Sequence, residues 1–176
     1  YLYRAKYTLP LGYMVTSTIN EDWNYKSSNP FSVQNDFIIE NTGISSLFTT
    51  IDFHDSGKEG ITINVDRDEY VYVYIGNKSV KTAKVSIGED TENFAGINHG
   101  RMVDLGWQSA GTVIKISDKD GEEALNAMVY TMNPDKFIEA YNILNAQGLN
   151  VTDYSDTSIT GTITVSEPGI LMLSIP

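Results

Sequence analysis

Short segments in which polar and apolar residues alternate recur along most of this chain. The clearest is residues 70–75, Tyr-Val-Tyr-Val-Tyr-Ile, in which the tyrosines share one face of a strand and the β-branched residues share the other. Further strand candidates, separated by Gly, Asn and Asp turn residues, are residues 1–8, 47–53, 61–65, 81–87, 101–105, 112–117 and 124–132. This pattern predicts a mainly β fold, an antiparallel and jelly-roll-like β-sandwich.

The end of the chain has the pattern of a β-hairpin. Residues 162–165 alternate, Pro168 and Gly169 form a turn signal, and residues 170–175 are a more apolar run. The chain also starts in strand-like sequence without a methionine and stops at Pro176. We therefore expect residues 1–176 to be a single domain that is cut from a longer protein.

Two segments have helix signals, and both open with Asn-Pro. Asn29 is suited to cap a helix, Pro30 to occupy its first position, and Gly43 to end it. Asn133 and Pro134 repeat the arrangement before apolar residues at helical spacing. The sequence predicts two short helices, at residues 30–42 and 134–147, that lie across an end or edge of the sandwich.

Composition excludes several classes of function. The formal net charge of −11 disfavours binding to nucleic acid or to anionic lipid headgroups. The absence of cysteine excludes disulfides and cysteine-based zinc sites, and no apolar run is long enough to span a bilayer. We therefore predict no nucleic-acid partner and no direct membrane insertion of this fragment.

No motif predicts catalysis, a metal or a cofactor. His54 and His99 stand outside any metal-ligand spacing, and a structural or solvated role is expected for His54. Residues 118–122, Asp-Lys-Asp-Gly-Glu, superficially resemble a calcium loop, but Asp-Gly between two strand patterns favours a hairpin turn. Residues 66–69 place acidic groups in a loop, where a bound cation is a weaker alternative. The sequence predicts no catalytic residue; Asp52, Asp55 and Asp104 are the carboxylates to test if activity is found.

Aromatic residues offer the strongest candidate binding surface. If Val71, Val73 and Ile75 face the core, then the rings of Tyr70, Tyr72 and Tyr74 stand on the opposite face, where flat rings with hydroxyls suit a sugar. Trp107 and Trp23 lie in loop-like sequence and extend this candidate surface. The alternative is that the strand is covered on both sides and that these rings serve packing.

Four segments resemble one family, the YfhO-type multi-spanning membrane proteins of Gram-positive bacteria. They are residues 9–15 (LPLGYMV), 29–35 (NPFSVQN), 100–106 (GRMVDLG) and 161–176, in which Gly-Thr-Ile leads to Leu-Ser-Ile-Pro. The first and last are the more specific, and the resemblance covers essentially the whole chain. It implies an extracytoplasmic domain near the C-terminus of such a protein.

Family members resemble membrane glycosyltransferases that use lipid-phosphate sugars and decorate envelope polymers such as lipoteichoic acid. The resemblance implies that the acidic catalytic residues lie between the first membrane helices, so none is carried over to this chain. It implies a non-catalytic accessory domain that binds glycan, with its own transmembrane region as partner. The alternative is a structural or protein-interaction domain that scaffolds the membrane part. A hydrolase, which requires two carboxylates in one cleft, is the third possibility.

Overall fold

The computed structural model describes residues 6–173. The strands are β1 Gly12–Thr16, β2 Phe48–Ile51, β3 His54–Asp55, β4 Ile61–Asn64, β5 Glu69–Ile75, β6 Thr82–Ile87, β7 Asp90–Ala95, β8 Met102–Gln108, β9 Val113–Asp118, β10 Ala127–Met132, β11 Asn150–Tyr154, β12 Ile159–Thr162 and β13 Gly169–Leu173. The helices are α1 Ile19–Asp22, α2 Pro30–Thr42, α3 Ile97–Gly100 and α4 Pro134–Ala146, and Gly57–Glu59 forms a 3-10 turn.

The chain divides into two compact units. The sandwich unit comprises Lys26–Val33 and Phe48–Asn133, and the helix-and-ribbon unit comprises Tyr1–Tyr25, Gln34–Leu47 and Pro134–Pro176. The expectation of one domain over residues 1–176 stays a prediction.

The sandwich unit consists of two antiparallel sheets. One has the strand order β2-β10-β5-β8 and the other the order β3-β4-β9-β6-β7. Val71 and Val73 from the first sheet and Ile63 and Ile114 from the second are completely buried in one shared hydrophobic core. Because burial of apolar surface is the main driving force of folding, this core holds the two sheets face to face. The predicted mainly β, antiparallel sandwich is confirmed.

The turn at residues 118–122 joins the two sheets of the sandwich. Gly121 has a φ of +69°, and the Asp118 carboxylate accepts hydrogen bonds from the backbone N–H groups of Glu122 and Glu123, at 3.1 and 3.3 Å. The predicted turn is therefore present. The predicted hairpin is wrong, because β9 pairs with β4 and β6, whereas β10 pairs with β2 and β5. A turn signal gives the direction of the chain but not the partner of the next strand.

Both predicted helices are present, and the cap of the first is as expected. The Asn29 Oδ1 accepts hydrogen bonds from the N–H groups of Phe31, at 3.0 Å, and Ser32, at 3.5 Å. Gly43 follows the last helical residue with a φ of +68°, which a glycine adopts without strain. Two further helices, α1 and α3, were not predicted. Each spans four residues, too few for helical periodicity to be recognised.

The helix-and-ribbon unit contains two separate two-stranded sheets. Strand β1 pairs with β13, and β11 pairs with β12. The predicted hairpin between residues 162–165 and 170–175 is therefore wrong: residues 163–168 form a loop, and β13 pairs with β1. Only Thr162 of the first run lies in a strand, and residues 174–175 of the second run lie outside the described part. In the predicted strand at residues 1–8, residues 1–5 lie outside the described part and residues 6–8 are not in a strand. None of the helices in residues 6–173 has the length and apolar character needed to cross a membrane.

Candidate functional site

The register of β5 with its two neighbours builds an aromatic outer face on the four-stranded sheet. Directly opposed residues of antiparallel strands share a face, so each tyrosine of β5 brings a residue of β8 and one of β10 to its side. Tyr70 lies opposite Trp107 and Met132, Tyr72 opposite Asp104 and Tyr130, and Tyr74 opposite Met102 and Met128. The core residues Val71 and Val73 point the other way. The assumption that the β-branched side is the core is confirmed.

Phe31, in the first turn of α2, covers the middle of this face. Its ring stacks on Tyr130, with centroids 4.6 Å apart, and contacts Phe48 and Tyr72 at 5.0 and 5.7 Å. Phe31 itself is buried, and Tyr72 is half-buried. Asn29 adds a hydrogen bond from Nδ2 to the Tyr130 hydroxyl, at 2.8 Å. Phe31 therefore packs against the Tyr72 ring.

Tyr74 belongs to a polar network at one end of the face. Its side chain is only 8% exposed, and its hydroxyl lies 3.1 Å from Ser28 Oγ. The Arg101 guanidinium donates to the same hydroxyl at 3.5 Å. The hydrogen bond with Ser28 lowers the pKa of Tyr74; burial opposes this shift, and the hydrogen bond and charge of Arg101 reinforce it. Little of the Tyr74 ring is left for a ligand.

Tyr70 and Trp107 form the open end of the outer face. Their ring centroids are 5.1 Å apart and their planes meet at 75°, the edge-to-face arrangement that aromatic pairs favour. Trp107 is 52% exposed, and Tyr70 is half-buried. The contact with Tyr70 restrains the indole, so its exposed surface is presented with little loss of side-chain entropy on binding.

A β-bulge explains how Trp107 reaches this position. Val71 lies opposite Gly106 and the next residue, Tyr72, lies opposite Asp104, so one extra residue of β8, Leu105, is accommodated. Gly106 has a φ of +67°, and its N–H donates to the Asp104 carboxylate at 2.9 Å. The interpretation of Trp107 as a loop residue is wrong, because β8 continues through the bulge to Gln108.

Asp104 places a carboxylate on the outer face between the two ends. Burial raises the pKa of the Tyr72 hydroxyl, and the negative charges of Asp104 and ionised Tyr70 raise it further. Tyr72 therefore stays a neutral hydroxyl over a wider pH range, next to a carboxylate that accepts hydrogen bonds. An aromatic surface beside such polar groups is the combination that sugar hydroxyls and sugar C–H faces require.

The structure separates the predicted aromatic residues. Tyr70, Tyr72, Tyr74 and Trp107 share one face, but only Trp107 is highly exposed. Trp23 belongs to the helix-and-ribbon unit, where its ring contacts Phe37 at 5.1 Å and Tyr25 at 5.7 Å. Whether any of these residues binds a ligand stays a prediction.

A shallow cleft of the sandwich unit brings several carboxylates together. It measures about 270 Å³ and is lined by Asp52, Asp66 and Glu69, with Asn64 and Thr50. Glu69 is buried and ion-paired with Arg67 at 3.0 Å, whereas Asp52 and Asp66 have no ion-pair partner among residues 6–173. The sequence does not show that these carboxylates lie close together, because they are separated along the chain. The pairing of β2, β4 and β5 with their neighbouring strands brings them to one cleft.

The remaining polar candidates lie on two short elements, His54 and Asp55 next to each other on β3 and His99 on α3. His54 is exposed on β3, His99 is exposed on α3, and the Asp55 carboxylate accepts a hydrogen bond from the Gly57 N–H at 2.8 Å. Within residues 6–173, no group of three or more His, Cys, Asp or Glu side chains is arranged to hold a metal ion.

Sequence inspection missed three residues of the aromatic face. Met102 and Met128, both exposed, flank Tyr74, and Arg101 reaches its hydroxyl. Alternation within β8 and β10 is a signal that each methionine faces away from the core, but it does not show that the two flank the same tyrosine. The register between strands supplies that information.

Comparison with known proteins places the chain in a family. Neither a search of curated proteins nor a search of solved structures found a match. The family model described as "Bacterial membrane protein YfhO" matches residues 1–176, the full length of the sequence. The chain therefore belongs to the YfhO family of bacterial membrane proteins.

Proposed function

We propose that this chain is a non-catalytic accessory domain on the extracytoplasmic side of a YfhO-like membrane glycosyltransferase. In this proposal the parent protein glycosylates an envelope polymer such as teichoic acid, and the domain holds a glycan against Trp107 and Tyr70. The observation that carries the proposal is the edge-to-face pair of the exposed Trp107 and the half-buried Tyr70 on the outer face of the four-stranded sheet.

The chemistry of the open end supports a sugar as ligand. The exposed indole of Trp107 offers a flat apolar surface to the C–H face of a sugar ring. Asp104 lies on the same face, and its carboxylate accepts hydrogen bonds from hydroxyls. Burying one ring contributes about 1 kcal/mol, so two rings alone correspond to a dissociation constant of roughly tens of millimolar, and hydrogen bonds to Asp104 are needed to reach about millimolar affinity. Such weak contact suits a domain that positions a long polymer.

Two of the three tyrosines on the outer face are not available to a ligand, so the proposed site is smaller than the sequence indicates. Phe31 packs on Tyr72, and the Tyr74 hydroxyl is bonded within the unit. In the proposal these two residues support the sheet, while Tyr70 and Trp107 make the direct contact.

Calorimetric titration with teichoic-acid fragments and neutral oligosaccharides tests this proposal. Replacing Trp107 with alanine removes the largest exposed ring of the face, and a loss of about 1 kcal/mol corresponds to roughly fivefold weaker binding. Tyr154→Ala is the matched control, because Tyr154 is an aromatic residue with 80% exposure in the helix-and-ribbon unit. Equal affinity of wild type, Trp107→Ala and Tyr154→Ala for every glycan would contradict the proposed contact.

The non-catalytic part of the proposal has its own test. Incubation with nucleotide sugars, polyprenyl-phosphate sugars or envelope glycans is expected to give neither transfer nor hydrolysis. Turnover that is abolished by Asp52→Asn, Asp66→Asn, Asp55→Asn or Asp104→Asn would overturn it. The first two substitutions examine the carboxylate cleft of the sandwich unit.

A second candidate function, a scaffold for the membrane part, is favoured by the apolar surface of the β1–β13 ribbon. Leu171 and Leu173 of β13 are exposed, as are Leu9 and Leu11 just before β1. Exposed apolar surface of this kind marks contact with another protein or a membrane. In the full-length protein, Leu171→Asn with Leu173→Asn is then expected to weaken crosslinking of this domain to its own transmembrane region. Unchanged crosslinking would exclude the ribbon as the contact.

A further inference from the structure

A polar cleft in the helix-and-ribbon unit lies among four chain segments. It is formed by the end of β1, the end of α2, the residue after α4 and the loop of residues 163–168, and its volume is about 350 Å³. Its polar side chains are Thr16, Glu40, Asn41, Gln147, Thr164, Ser166 and Glu167. The volume falls within the usual range of small-molecule sites and is sufficient for a single sugar ring.

Asn41 fixes one wall of this cleft. Its Oδ1 accepts a hydrogen bond from the Thr16 N–H at 2.9 Å, and its Nδ2 donates to the Phe37 carbonyl at 2.7 Å. Both polar groups of Asn41 are therefore used within the unit, which ties the end of β1 to the last turn of α2. The wall exists before any ligand arrives, which lowers the entropic cost of binding.

The other polar groups around the cleft have unused hydrogen-bonding capacity. Glu40, Thr164, Ser166 and Glu167 are all exposed. Within residues 6–173, the two carboxylates form no ion pair and the two hydroxyls form no hydrogen bond with other protein groups. No Lys or Arg side chain lines the cleft. Two carboxylates supply acceptors only, whereas the hydroxyls and the Gln147 amide both donate and accept. Such an arrangement favours a ligand rich in donors and disfavours phosphates and uronic acids.

We propose that this cleft is a second binding site, which takes a hydroxyl-rich ligand that carries an ammonium group, such as an amino sugar. In this proposal the carboxylates of Glu40 and Glu167 accept hydrogen bonds from the N–H donors of the ammonium group. Sugar hydroxyls bond to Thr164, Ser166 and Gln147. This site is independent of the proposed contact at Trp107, since all of its lining residues belong to the helix-and-ribbon unit.

Titration of the chain of residues 1–176 with glucosamine and with N-acetylglucosamine tests the proposal. The two sugars share one ring, but only glucosamine carries an ammonium group at a pH where its amine is protonated. The backbone amide signals of Thr16 and Gly169 report on the cleft. Glucosamine is expected to shift both signals and to bind roughly threefold more tightly than N-acetylglucosamine, the size of effect that an exposed ion pair gives.

Glu167→Gln removes one carboxylate and keeps the shape of the side chain. It is expected to bring the two affinities together, whereas the matched control Glu139→Gln, an exposed residue of α4, leaves them apart. Unchanged signal dispersion of Glu167→Gln shows that the variant is folded. Absence of glucosamine shifts at Thr16 and Gly169, equal binding of both sugars by the wild type, or tighter binding of calcium chloride at the same signals overturns the proposal. The Trp107 indole signal reports on the proposed glycan contact of the sandwich unit, so the two proposals can fail independently of each other.

Discussion

The two compact units of this chain differ in how completely they bury their large apolar side chains. In the sandwich unit, the β-branched residues of both sheets meet in one closed core, and the large apolar side chains that stay exposed are Met102, Trp107, Val113 and Met128. In the helix-and-ribbon unit, exposed leucines and isoleucines lie on β12 and β13, in the segment just before β1, and on the helices α2 and α4. A closed core supports a precise binding surface, whereas exposed apolar strands indicate a surface that another molecule covers.

Three of the exposed residues of the sandwich unit stand on one face, the outer face that carries the tyrosines. Met102 and Met128 flank Tyr74, and Trp107 contacts Tyr70. This clustering is what distinguishes a candidate site from scattered surface residues. The same unit covers the rest of that face with Phe31 and Asn29, so its open end is small and well defined.

The largest loss of stability is expected from a substitution in the sandwich core. Ile114→Ala truncates a completely buried side chain and is expected to lower the free energy of unfolding by about 3 kcal/mol, because it leaves a cavity. Val113→Ala, at the neighbouring residue that is 45% exposed, is the matched control. Urea unfolding measures both. For Leu171→Ala in the ribbon, a cost below about 0.5 kcal/mol is expected, as for other surface positions. A larger cost there than at Ile114 would reverse the comparison.

The second-largest loss of stability is expected from Asn29, which lies with Phe31 over the outer face of the four-stranded sheet. Asn29→Ala removes the cap of α2 and the hydrogen bond to Tyr130, and we expect it to cost about 1–2 kcal/mol of stability. Asn29→Asp keeps the capping oxygen but loses the Nδ2 donor, so its stability should lie between the two. Thermal unfolding of the three proteins gives the order. If Asn29→Ala is as stable as wild type, the cap and the hydrogen bond to Tyr130 contribute no stability.

The helix α2 and its N-terminal cap were predictable from the sequence, because the residues that determine them are close to its ends. Asn29 and Pro30 specify the start of α2, and Gly43 specifies its end, each next to the helix terminus concerned. The alternation in β5 is equally local, and it identified the core face correctly. These features need no knowledge of which strands pair.

The pairing of strands was not predictable in the same way. Residues 170–175 have strand character, but nothing in them identifies β1 as the partner of β13 rather than the preceding run. The bulge at Gly106 changes the register, and only this register places Trp107 opposite Tyr70. The cover of Tyr72 by Phe31 likewise depends on contacts between residues that are distant in sequence.

A smaller effect is expected in the pH dependence of stability, which differs between Tyr13 in the helix-and-ribbon unit and Tyr74 in the sandwich unit. Burial raises the pKa of Tyr13, so the stability it contributes is present below the unfolded value of about 10 and is lost as the pH rises above it. The hydrogen bond with Ser28 lowers the pKa of Tyr74, so its contribution appears as the pH rises through that lowered pKa towards 10.

Urea unfolding at a series of alkaline pH values tests this difference. Tyr13→Phe is expected to reduce the alkaline loss of stability, and Tyr74→Phe to increase it. Equal pH dependence in the two variants and the wild type would show that the two hydroxyls have the same environment.

The chain has two tryptophans, one in each unit, which allows the central proposal to be tested directly. Trp107 is on the exposed outer face of the sandwich, whereas Trp23 contacts Phe37 and Tyr25 in the helix-and-ribbon unit. The decisive measurement follows both indole N–H signals by NMR during titration with teichoic-acid fragments and neutral oligosaccharides. The proposed function predicts a saturable shift of the Trp107 signal and a constant Trp23 signal. A constant Trp107 signal at glycan concentrations well above millimolar would contradict it.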